Sequence, residues 1–329
     1  MKIMVTGGSG FIGTNFIIEQ LEHTDNVVLN YDKLTYASNT QYGEELLSLK
    51  YRDNERYSFI KGDITNGELL KETLEEFQPD AIVNFAAESH VDNSIEKPDE
   101  FIQTNIVGSF RILQAALTYW ENEGKPEHFR FHHVSTDEVY GALGESGTFV
   151  ESTPYDPRSP YSASKSASDH LVKAYFHTYG LPVVITNCSN NYGPYQHREK
   201  LIPKIITNAL NGDKIPVYGK GENIRDWLYV TDHCDAIYAV LTKGRVGETY
   251  NIGGNHEMRN IDIVEYILEE LGQSSTDLIE YVEDRKGHDF RYAIDFSKLT
   301  NELGWTPKET FKSGIRKTIS WYQKNFLYK

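Results

Sequence analysis

The sequence predicts an α/β fold organised as a doubly wound parallel sheet of about seven strands, with a smaller C-terminal domain. Short apolar segments alternate with helical segments along the first half of the 329 residues, and the first apolar segment runs directly into a glycine turn. Turn-rich segments replace this alternation only after Ser189. Alternating strands and helices typically form a parallel sheet with right-handed crossovers.

The composition of the chain indicates which kinds of binding partner are unfavourable. Acidic residues outnumber basic ones by 48 to 33, and the net charge of -15 disfavours nonspecific nucleic-acid binding and attachment to an anionic membrane surface. The eleven histidines show no metal-ligand spacing, so we expect no metal site. The two cysteines, Cys188 and Cys234, predict reduced thiols. With neither a signal peptide nor a membrane-length apolar run in view, we expect a soluble cytoplasmic protein.

The first predicted strand and helix carry a nucleotide-binding pattern. Lys2 to Thr6 is followed by the turn Gly7-Gly8-Ser9-Gly10-Phe11-Ile12-Gly13 and then by a helix from about Thr14 to Leu21. Its glycines fit both G-x-G-x-x-G and G-x-x-G-x-x-G. Backbone without Cβ atoms can approach a pyrophosphate, which the helix N-terminus stabilises. The alternative is a glycine turn that serves only helix–strand packing.

The second predicted strand, Val27 to Tyr31, ends at Asp32, which lies 19 residues after Gly13. A carboxylate at this position accepts hydrogen bonds from an adenosine ribose and repels a 2′-phosphate. No arginine lies beside it, so the pattern favours NAD over NADP in a Rossmann-like domain. Further strands are predicted at Tyr57–Lys61, Ala81–Phe85, Phe129–Ser135, Pro182–Cys188 and Thr249–Ile252, and a long helix at Phe101 to Trp120.

Candidate catalytic residues follow the fifth strand. Thr136, Asp137 and Glu138 come directly after it, and Tyr161 and Lys165 are spaced to share one face of the next helix. A lysine ammonium beside a tyrosine favours the phenolate, so we expect a lowered Tyr161 pKa and a base that works near neutral pH. Tyr-x-x-x-Lys is common, however, and neighbouring acids at a strand end are often only solvated surface.

Three basic residues in the second half of the chain are candidate anion clamps: Lys200, Arg225 and Arg285. Arginine binds phosphate oxygens in a bidentate way, which suits a diphosphate. The alternative is that these residues form surface ion pairs in an acidic protein.

Taken together, these motifs resemble the extended short-chain dehydrogenase/reductase family, and most closely its dTDP-glucose 4,6-dehydratases of deoxysugar biosynthesis. The resemblance extends essentially from end to end. The acid pair Asp137-Glu138 is its most specific element, because related epimerases and reductases lack it. Two departures are Gln196-His197-Arg198 and Lys286, where the family commonly has Phe-Pro and Pro. The resemblance is also carried by Ser135–Gly141, Asn190–Tyr195, Glu199–Pro203, Arg225–Trp227 and the loop from Arg285 to Asp289.

The resemblance implies a reaction in which NAD is reduced and then regenerated. Tyr161 takes the proton of the sugar C4 hydroxyl, Lys165 supports the phenolate and the nicotinamide ribose, and Thr136 hydrogen-bonds the C4 oxygen. Glu138 removes the C5 proton and Asp137 protonates the departing C6 hydroxyl. Another nucleotide-sugar dehydratase, an epimerase or reductase, and a non-catalytic NAD-binding protein remain the alternatives.

The resemblance also implies the binding residues and the domain division. Residues 1–189 would bind NAD, with the sheet rejoined by about 227–256, and residues 190–226 and 257–329 would bind the nucleotide sugar, dTDP-glucose. Helices at Phe101–Trp120 and Ser162–Tyr179 would pair two subunits into a homodimer. The implied cofactor contacts are Gly7, Gly10, Phe11, Ile12, Gly13, Asp32, Lys33, Thr35, Asp63, Ile64, Phe85, Ala86, Ala87, Ser89, Thr104, Tyr161, Lys165 and Asn191. The implied substrate contacts are Ser89, Thr136, Asn190, Lys200, Leu201, Pro216, Tyr218, Arg225, Asn260, Arg285, His288 and Tyr292.

Overall fold

A computed structural model describes residues 1–36, 38, 44–284 and 288–326. Its central element is a seven-stranded sheet in which all neighbouring strands are parallel. The strands are β1 (Lys2–Thr6), β2 (Val27–Asp32), β3 (Tyr57–Lys61), β4 (Ala81–Asn84), β5 (Arg130–Thr136), β6 (Val183–Cys188) and β10 (Thr249–Ile252), with β7 to β9 lying outside this sheet. Their order is β10-β6-β5-β4-β1-β2-β3.

Helices cover both faces of this sheet. In chain order, the α-helices of the described residues, including those that pack elsewhere, are α1 (Phe11–His23), α2 (Glu44–Lys50), α3 (Gly67–Phe77), α4 (Val91–Glu96), α5 (Pro98–Phe101), α6 (Ser109–Asn122), α7 (Pro160–Tyr179), α8 (Leu201–Asn211), α9 (Val230–Lys243), α10 (Asn260–Glu270), α11 (Ser275–Leu278), α12 (Ser297–Leu303) and α13 (Phe311–Phe326). One apolar cluster joins Phe16 of α1 to Val240 of α9, and another joins Leu113 of α6 to Val172 of α7. The predicted doubly wound fold and its seventh strand are therefore confirmed.

The remaining strands form two small sheets. In one, β7 (Asn190–Tyr192) lies beside β9 (Ile224–Tyr229), which also pairs with β11 (Glu257–Arg259). In the other, β8 (Ile215–Tyr218) pairs with β12 (Ile279–Val282). A third apolar cluster joins α8, α10 and α13 to these strands through residues such as Ile205, Val264 and Ile315. The assignment of separate binding roles to the two regions stays a prediction.

The predicted long helix from Phe101 to Trp120 is not a regular α-helix. Between α5 and α6, residues Ile102–Gly108 form a π-helical segment, so the backbone is locally wider there. Such segments occur often at functional sites. Within this segment the side chain of Asn105 is buried, and its amide bonds to Glu88 and Ser164, which lie far away in the sequence. In the described part of the chain, no helix has the length and apolar character needed for a membrane span.

Candidate functional site

A cavity of about 320 Å³ lies at the carboxyl ends of the central strands. This edge is where open α/β sheets bind ligands, because the chain reverses strand order there. Every residue that the sequence suggested as a cofactor contact lines the cavity: Gly7, Gly10, Phe11, Ile12, Gly13, Asp32, Lys33, Thr35, Asp63, Ile64, Phe85, Ala86, Ala87, Ser89, Thr104, Tyr161, Lys165 and Asn191.

Close backbone packing requires glycine at the turn between β1 and α1. Gly7 has a φ of +70°, and a Cβ there would lie 2.7 Å from the backbone nitrogen of Ala86. A Cβ on Gly13 would lie 2.4 Å from the carbonyl oxygen of Gly7. Packing alone therefore explains these two glycines, as the alternative interpretation proposed, yet the same packing leaves the turn's backbone facing the cavity.

The N-terminus of α1 provides the fit for a pyrophosphate. Gly10 occupies the N-cap position, and no described side chain caps the helix. The first N–H groups of a helix have no intrahelical partner and attract anions. Because Phe11 and Ile12 line the cavity at this end of α1, the residues present suit the diphosphate group of a dinucleotide.

The Asp32 carboxylate also organises its own surroundings. It accepts hydrogen bonds from the backbone N–H groups of Ser9 and Leu34, at 2.9 and 2.7 Å, and from the Ser38 hydroxyl at 2.9 Å. Lys33 beside it forms an ion pair with Asp63 at 2.8 Å. Asp32 thus ties the glycine turn to the end of β2 while it lines the cavity.

Tyr161, Lys165 and Thr136 meet in the cavity wall. Pro160 begins α7 and a Ser159–Ser162 capping box fixes its first turn, which places Tyr161 and Lys165 on consecutive turns. The Lys165 ammonium donates a hydrogen bond to the Val134 carbonyl at 2.8 Å, so the lysine is held against the end of β5.

The predicted lowering of the Tyr161 pKa is wrong. Burial and the nearby Glu138 charge raise the pKa of Tyr161 well above its ordinary value, and the Thr136 hydroxyl offsets only part of this rise. Burial also lowers the pKa of Lys165. The sequence could show that the two residues share a helical face, but not that the pair is buried beside a carboxylate.

The acid pair occupies a short 3₁₀ turn, Asp137–Tyr140, directly after β5. Asp137 is 1% exposed, and no described residue donates a hydrogen bond to its Oδ2. Burial and then the Glu138 charge raise the pKa of Asp137 well above its ordinary value, while Arg225 acts in the opposite direction. These surroundings favour the protonated form of Asp137, which suits a general acid, and its burial excludes the solvated-surface interpretation for it.

Arg225 lies on the other side of the acid pair. It is buried, and its guanidinium donates to the carbonyls of Ile224, Asp289 and Phe290 at 2.8, 2.9 and 3.3 Å. The guanidinium carbon lies 4.2 Å from the ring centre of Tyr292. A buried, stacked guanidinium held by carbonyls is not the surface ion pair that the alternative interpretation expected.

The other suggested substrate contacts fall into two groups. Ser89, Thr136, Asn190 and Lys200 line the cavity, and the Lys200 ammonium donates to the Ser89 carbonyl at 3.1 Å. The other suggested substrate contacts that the structure describes lie outside the cavity wall. Some of them are near Arg225, and the rest are on α8, β8 and α10. These are Leu201, Pro216, Tyr218, Asn260, His288 and Tyr292; Arg285 and the departure at Lys286 lie outside the described residues.

Contacts between loops hold part of this second group together. The His288 ring packs edge-on against Tyr218, with ring centres 6.3 Å apart, and Asn260 donates its backbone N–H to Asn223. The Asn223 amide in turn donates to the Asp289 carbonyl, the same oxygen that Arg225 contacts. The structure thus brings Tyr218, Asn260 and His288 to the Arg225 side of the site.

Sequence reasoning missed several residues of the cavity wall. Glu88 follows β4 and Cys188 ends β6, and their positions at strand ends were the signal that could have revealed them. Glu199 and the departure at Gln196-His197 also line the cavity, but only the fold of the loop after β7 brings them there. The other missed residues are Tyr31, Ser38, Val134, Ser135 and Ser189.

Comparisons with known proteins identify the family of this chain. The family model described as GDP-mannose 4,6 dehydratase matches residues 4–318. The dTDP-glucose 4,6-dehydratase of Xanthomonas campestris pv. campestris (strain B100) is 57% identical over 332 residues, which cover 98% of this chain and 93% of that protein.

Two solved structures of dTDP-glucose 4,6-dehydratases superpose over the whole chain. The Bacillus anthracis enzyme in complex with NAD is 49% identical, with a TM-score of 0.89 and 98% of its chain covered. The Streptomyces venezuelae enzyme, also with NAD bound, is 44% identical, with a TM-score of 0.92 and 98% covered. The chain therefore belongs to the GDP-mannose 4,6 dehydratase family, and within it to the dTDP-glucose 4,6-dehydratases.

Proposed function

We infer that this protein is an NAD-dependent lyase that converts dTDP-glucose to dTDP-4-keto-6-deoxyglucose and water. The observation that carries the inference is the acid pair: Asp137 is buried beside Glu138, its surroundings raise its pKa, and both acids lie within electrostatic reach of Tyr161. An epimerase or a reductase has no use for a proton donor and a second acid at this position. Similarity to dTDP-glucose 4,6-dehydratases supports the choice of substrate.

We propose that the cavity holds NAD. In this arrangement the N–H groups at the start of α1 face the diphosphate of NAD. Asp32 faces the adenosine ribose, and Lys165 faces the nicotinamide ribose. When bound, NAD supplies a hydride acceptor that later becomes the donor, and its oxidised ring adds a positive charge. The relatives crystallised with NAD support this assignment.

The first half of the reaction oxidises C4 of the sugar. Tyr161 takes the proton of the C4 hydroxyl, and the hydrogen on C4 leaves as hydride. Because burial and Glu138 raise the pKa of Tyr161, the phenolate needs the Lys165 ammonium as a partner. Thr136, which hydrogen-bonds to Tyr161, is placed to donate to the C4 oxygen.

The second half eliminates water and restores the cofactor. A ketone at C4 acidifies the C5 hydrogen, which Glu138 removes as a proton. The protonated Asp137 gives its proton to the departing C6 hydroxyl, and C6 then receives the hydride while C5 is reprotonated. The raised pKa of Asp137 favours the protonated carboxyl group that this step requires.

The Arg225 side of the site is where we place the nucleotide diphosphate. Arg225 is held rigidly by carbonyls, and Asn190, Lys200, Asn260 and His288 surround the same region or line the cavity beside it. On this basis residues 190–226 and 257–329 form the nucleotide-sugar-binding domain, and residues 1–189 the NAD-binding domain. Tyr218 and Tyr292 provide aromatic surface there.

We also propose a homodimer in the cytoplasm that supplies deoxysugar synthesis of the dTDP-rhamnose type. Exposed apolar residues on the helical segments before and after Gly108, Ile102 and Phe110, support pairing through these helices and α7. The buried, unpaired thiols of Cys188 and Cys234 suit a reducing compartment. Light scattering on the purified protein tests the dimer.

A turnover assay tests the substrate. Purified protein should convert dTDP-glucose to a 4-keto product and leave the absorbance at 340 nm without a net rise, because NAD is regenerated in each cycle. A steady rise that matches product would indicate a net dehydrogenase instead. The same assay is run on a panel of glucose compounds that carry other nucleoside diphosphates, at matched concentrations. If one of them is turned over as fast as dTDP-glucose or faster, the substrate is reassigned.

A further inference from the structure

A fully buried carboxylate lies behind the Tyr161–Lys165 pair. Asp169 is 0% exposed on α7, four residues after Lys165, and it is not among the described residues that line the cavity. Residues four apart occupy the same helical face on successive turns. Asp169 therefore lies on the same face of α7 as Lys165, but it does not contact the cavity in which a ligand would bind.

Two neutral hydroxyls donate to this carboxylate: those of Ser135 and Tyr155 each reach Oδ2 at 2.9 Å. Nε2 of His133 lies 3.4 Å from Oδ1 but hydrogen-bonds the Ser168 hydroxyl at 3.1 Å, and no described residue donates to Oδ1. The Nδ1 atom of His133 faces the amide nitrogen of Asn84 at 3.1 Å, so it accepts there and the ring proton resides on Nε2. Burial lowers the pKa of His133, which keeps the ring neutral.

An isolated charge in the interior is costly, so a buried lysine is stabilised by a carboxylate nearby. Lys165 lies one helical turn before Asp169 and interacts with it electrostatically, while its ammonium donates to the Val134 carbonyl. Among the described residues, those that interact electrostatically with Asp169 include His133 on β5, Tyr140 on the 3₁₀ turn, Tyr155 on the loop before α7, and Lys165 on α7 itself. Burial lowers the pKa of Lys165, and Asp169 opposes that change.

The same carboxylate fixes the end of β5. Its partner Ser135 directly precedes Thr136, and the Lys165 ammonium donates to the carbonyl of Val134, the residue before Ser135. One buried group is thus connected both to the lysine and to the strand end that carries Thr136.

We propose that Asp169 is a positioning residue of the reaction, which keeps Lys165 protonated and holds Thr136 and Lys165 in register beside Tyr161. The proposal rests on the proposed function, because it assigns Lys165 to the support of the Tyr161 phenolate. Asp169 itself contacts neither the sugar nor the cofactor.

The test replaces the charge and measures C4 oxidation against pH. Rates are read as single-turnover formation of bound NADH at 340 nm, in an Asp137→Asn background where elimination is slow and Asp137 cannot titrate. Adding Asp169→Asn should lower the maximal rate about 10- to 100-fold, as expected for a small misplacement of catalytic groups. The alkaline decline in rate should begin at lower pH, because Lys165 then loses its proton more easily.

Two variants remove hydrogen bonds but keep the charge. Ser135→Ala and Tyr155→Phe each delete one donor to Asp169, so both should leave the alkaline limb at its original pH. Asp169→Glu keeps the charge in a longer side chain. It should lower the maximal rate of C4 oxidation, but the decline in rate at alkaline pH should begin at the same pH as before. Circular dichroism verifies that each variant is folded.

The proposal is overturned if Asp169→Asn leaves the alkaline limb unmoved, or if Tyr155→Phe moves it equally. Should Asp169→Asn fail to fold, Asp169→Glu decides: a limb displaced to lower pH despite the retained charge contradicts the proposal. Turnover of dTDP-glucose by the unmodified protein in the same buffers separates the two questions. Its absence refutes the proposed function, whereas normal turnover with an unmoved limb refutes only the role of Asp169.

Discussion

The two sides of the site are built in different ways. On the NAD side, most of the suggested contacts follow the ends of neighbouring parallel strands, helical segments and β7 add Thr104, Tyr161, Lys165 and Asn191, and all of them line one cavity. On the Arg225 side, the suggested contacts come from the loops and short strands after Ser189, and most lie outside that cavity. A parallel sheet aligns its strand ends automatically, whereas loops meet only through their own tertiary contacts.

The acid pair lies where the two sides meet. Asp137 responds electrostatically to Glu138 beside it and to Arg225 on β9, and Tyr292 responds to both Glu138 and Arg225. The residues on the NAD side therefore carry out the oxidation at C4, and the acid pair between the two sides carries out the elimination of water. Variants on each side should separate these roles.

The largest effect is expected at Tyr161, on the NAD side. Tyr161→Phe should lower kcat about 10²–10⁴-fold, the usual contribution of a general base, while affinity for dTDP-glucose changes little. The ring contact with Phe101 survives the change, so the fold should persist. Steady-state kinetics measures both quantities.

Tyr179→Phe is the matched control, because Tyr179 is exposed at the far end of the same helix. It should behave as the unmodified protein. Near-normal turnover by Tyr161→Phe would show that another group takes the C4 hydroxyl proton.

Arg225→Ala tests the other side. If Arg225 clamps the diphosphate, its loss should raise KM and weaken inhibition by free dTDP, each about 10- to 100-fold, which is the value of a charge-assisted hydrogen bond. Arg245→Ala removes an exposed ion pair with Glu302 and should change neither constant. An unchanged inhibition constant for Arg225→Ala would remove it from the binding site.

How much the sequence could predict follows the same division. The glycine turn, Asp32, and the Tyr161–Lys165 pair could be located because their spacing is set by one strand or one helix. The raised pKa of Tyr161 could not be predicted, because it depends on burial and on Glu138. The π-helical segment contains Asn105, whose bonds to Glu88 and Ser164 join it to distant parts of the chain that a local pattern does not show.

A smaller effect is expected at Asp32. Asp32→Ala should weaken NAD binding about 10-fold through loss of a charged hydrogen bond to the ribose, measured by calorimetry on protein freed of cofactor. Asp25→Asn, an exposed acid near the start of the same strand, serves as control. Unchanged NAD affinity would limit Asp32 to its bonds with Ser9, Leu34 and Ser38.

The smallest effect concerns stability at the boundary. The pKa of Asp137 is raised in the folded protein, so the folded state binds more protons than the unfolded state once pH exceeds the ordinary carboxyl value, and stability falls as pH rises. Asp137→Asn removes this cost and should raise Tm at neutral pH by about 2–4 °C per kcal/mol relieved. The gain should shrink toward pH 3–4, roughly the ordinary aspartate range. A Tm that drops at neutral pH would contradict the raised pKa.

The most direct test of the account follows the hydrogen on C4. The central claim is that one site oxidises C4, eliminates water through Glu138 and Asp137, and returns the same hydride to C6. dTDP-glucose deuterated at C4 should therefore give a 4-keto-6-deoxy product with deuterium at C6, and the reaction in D₂O should place deuterium at C5, both read by NMR. Return of the label to C4 with no loss of water would contradict the account and make the protein an epimerase.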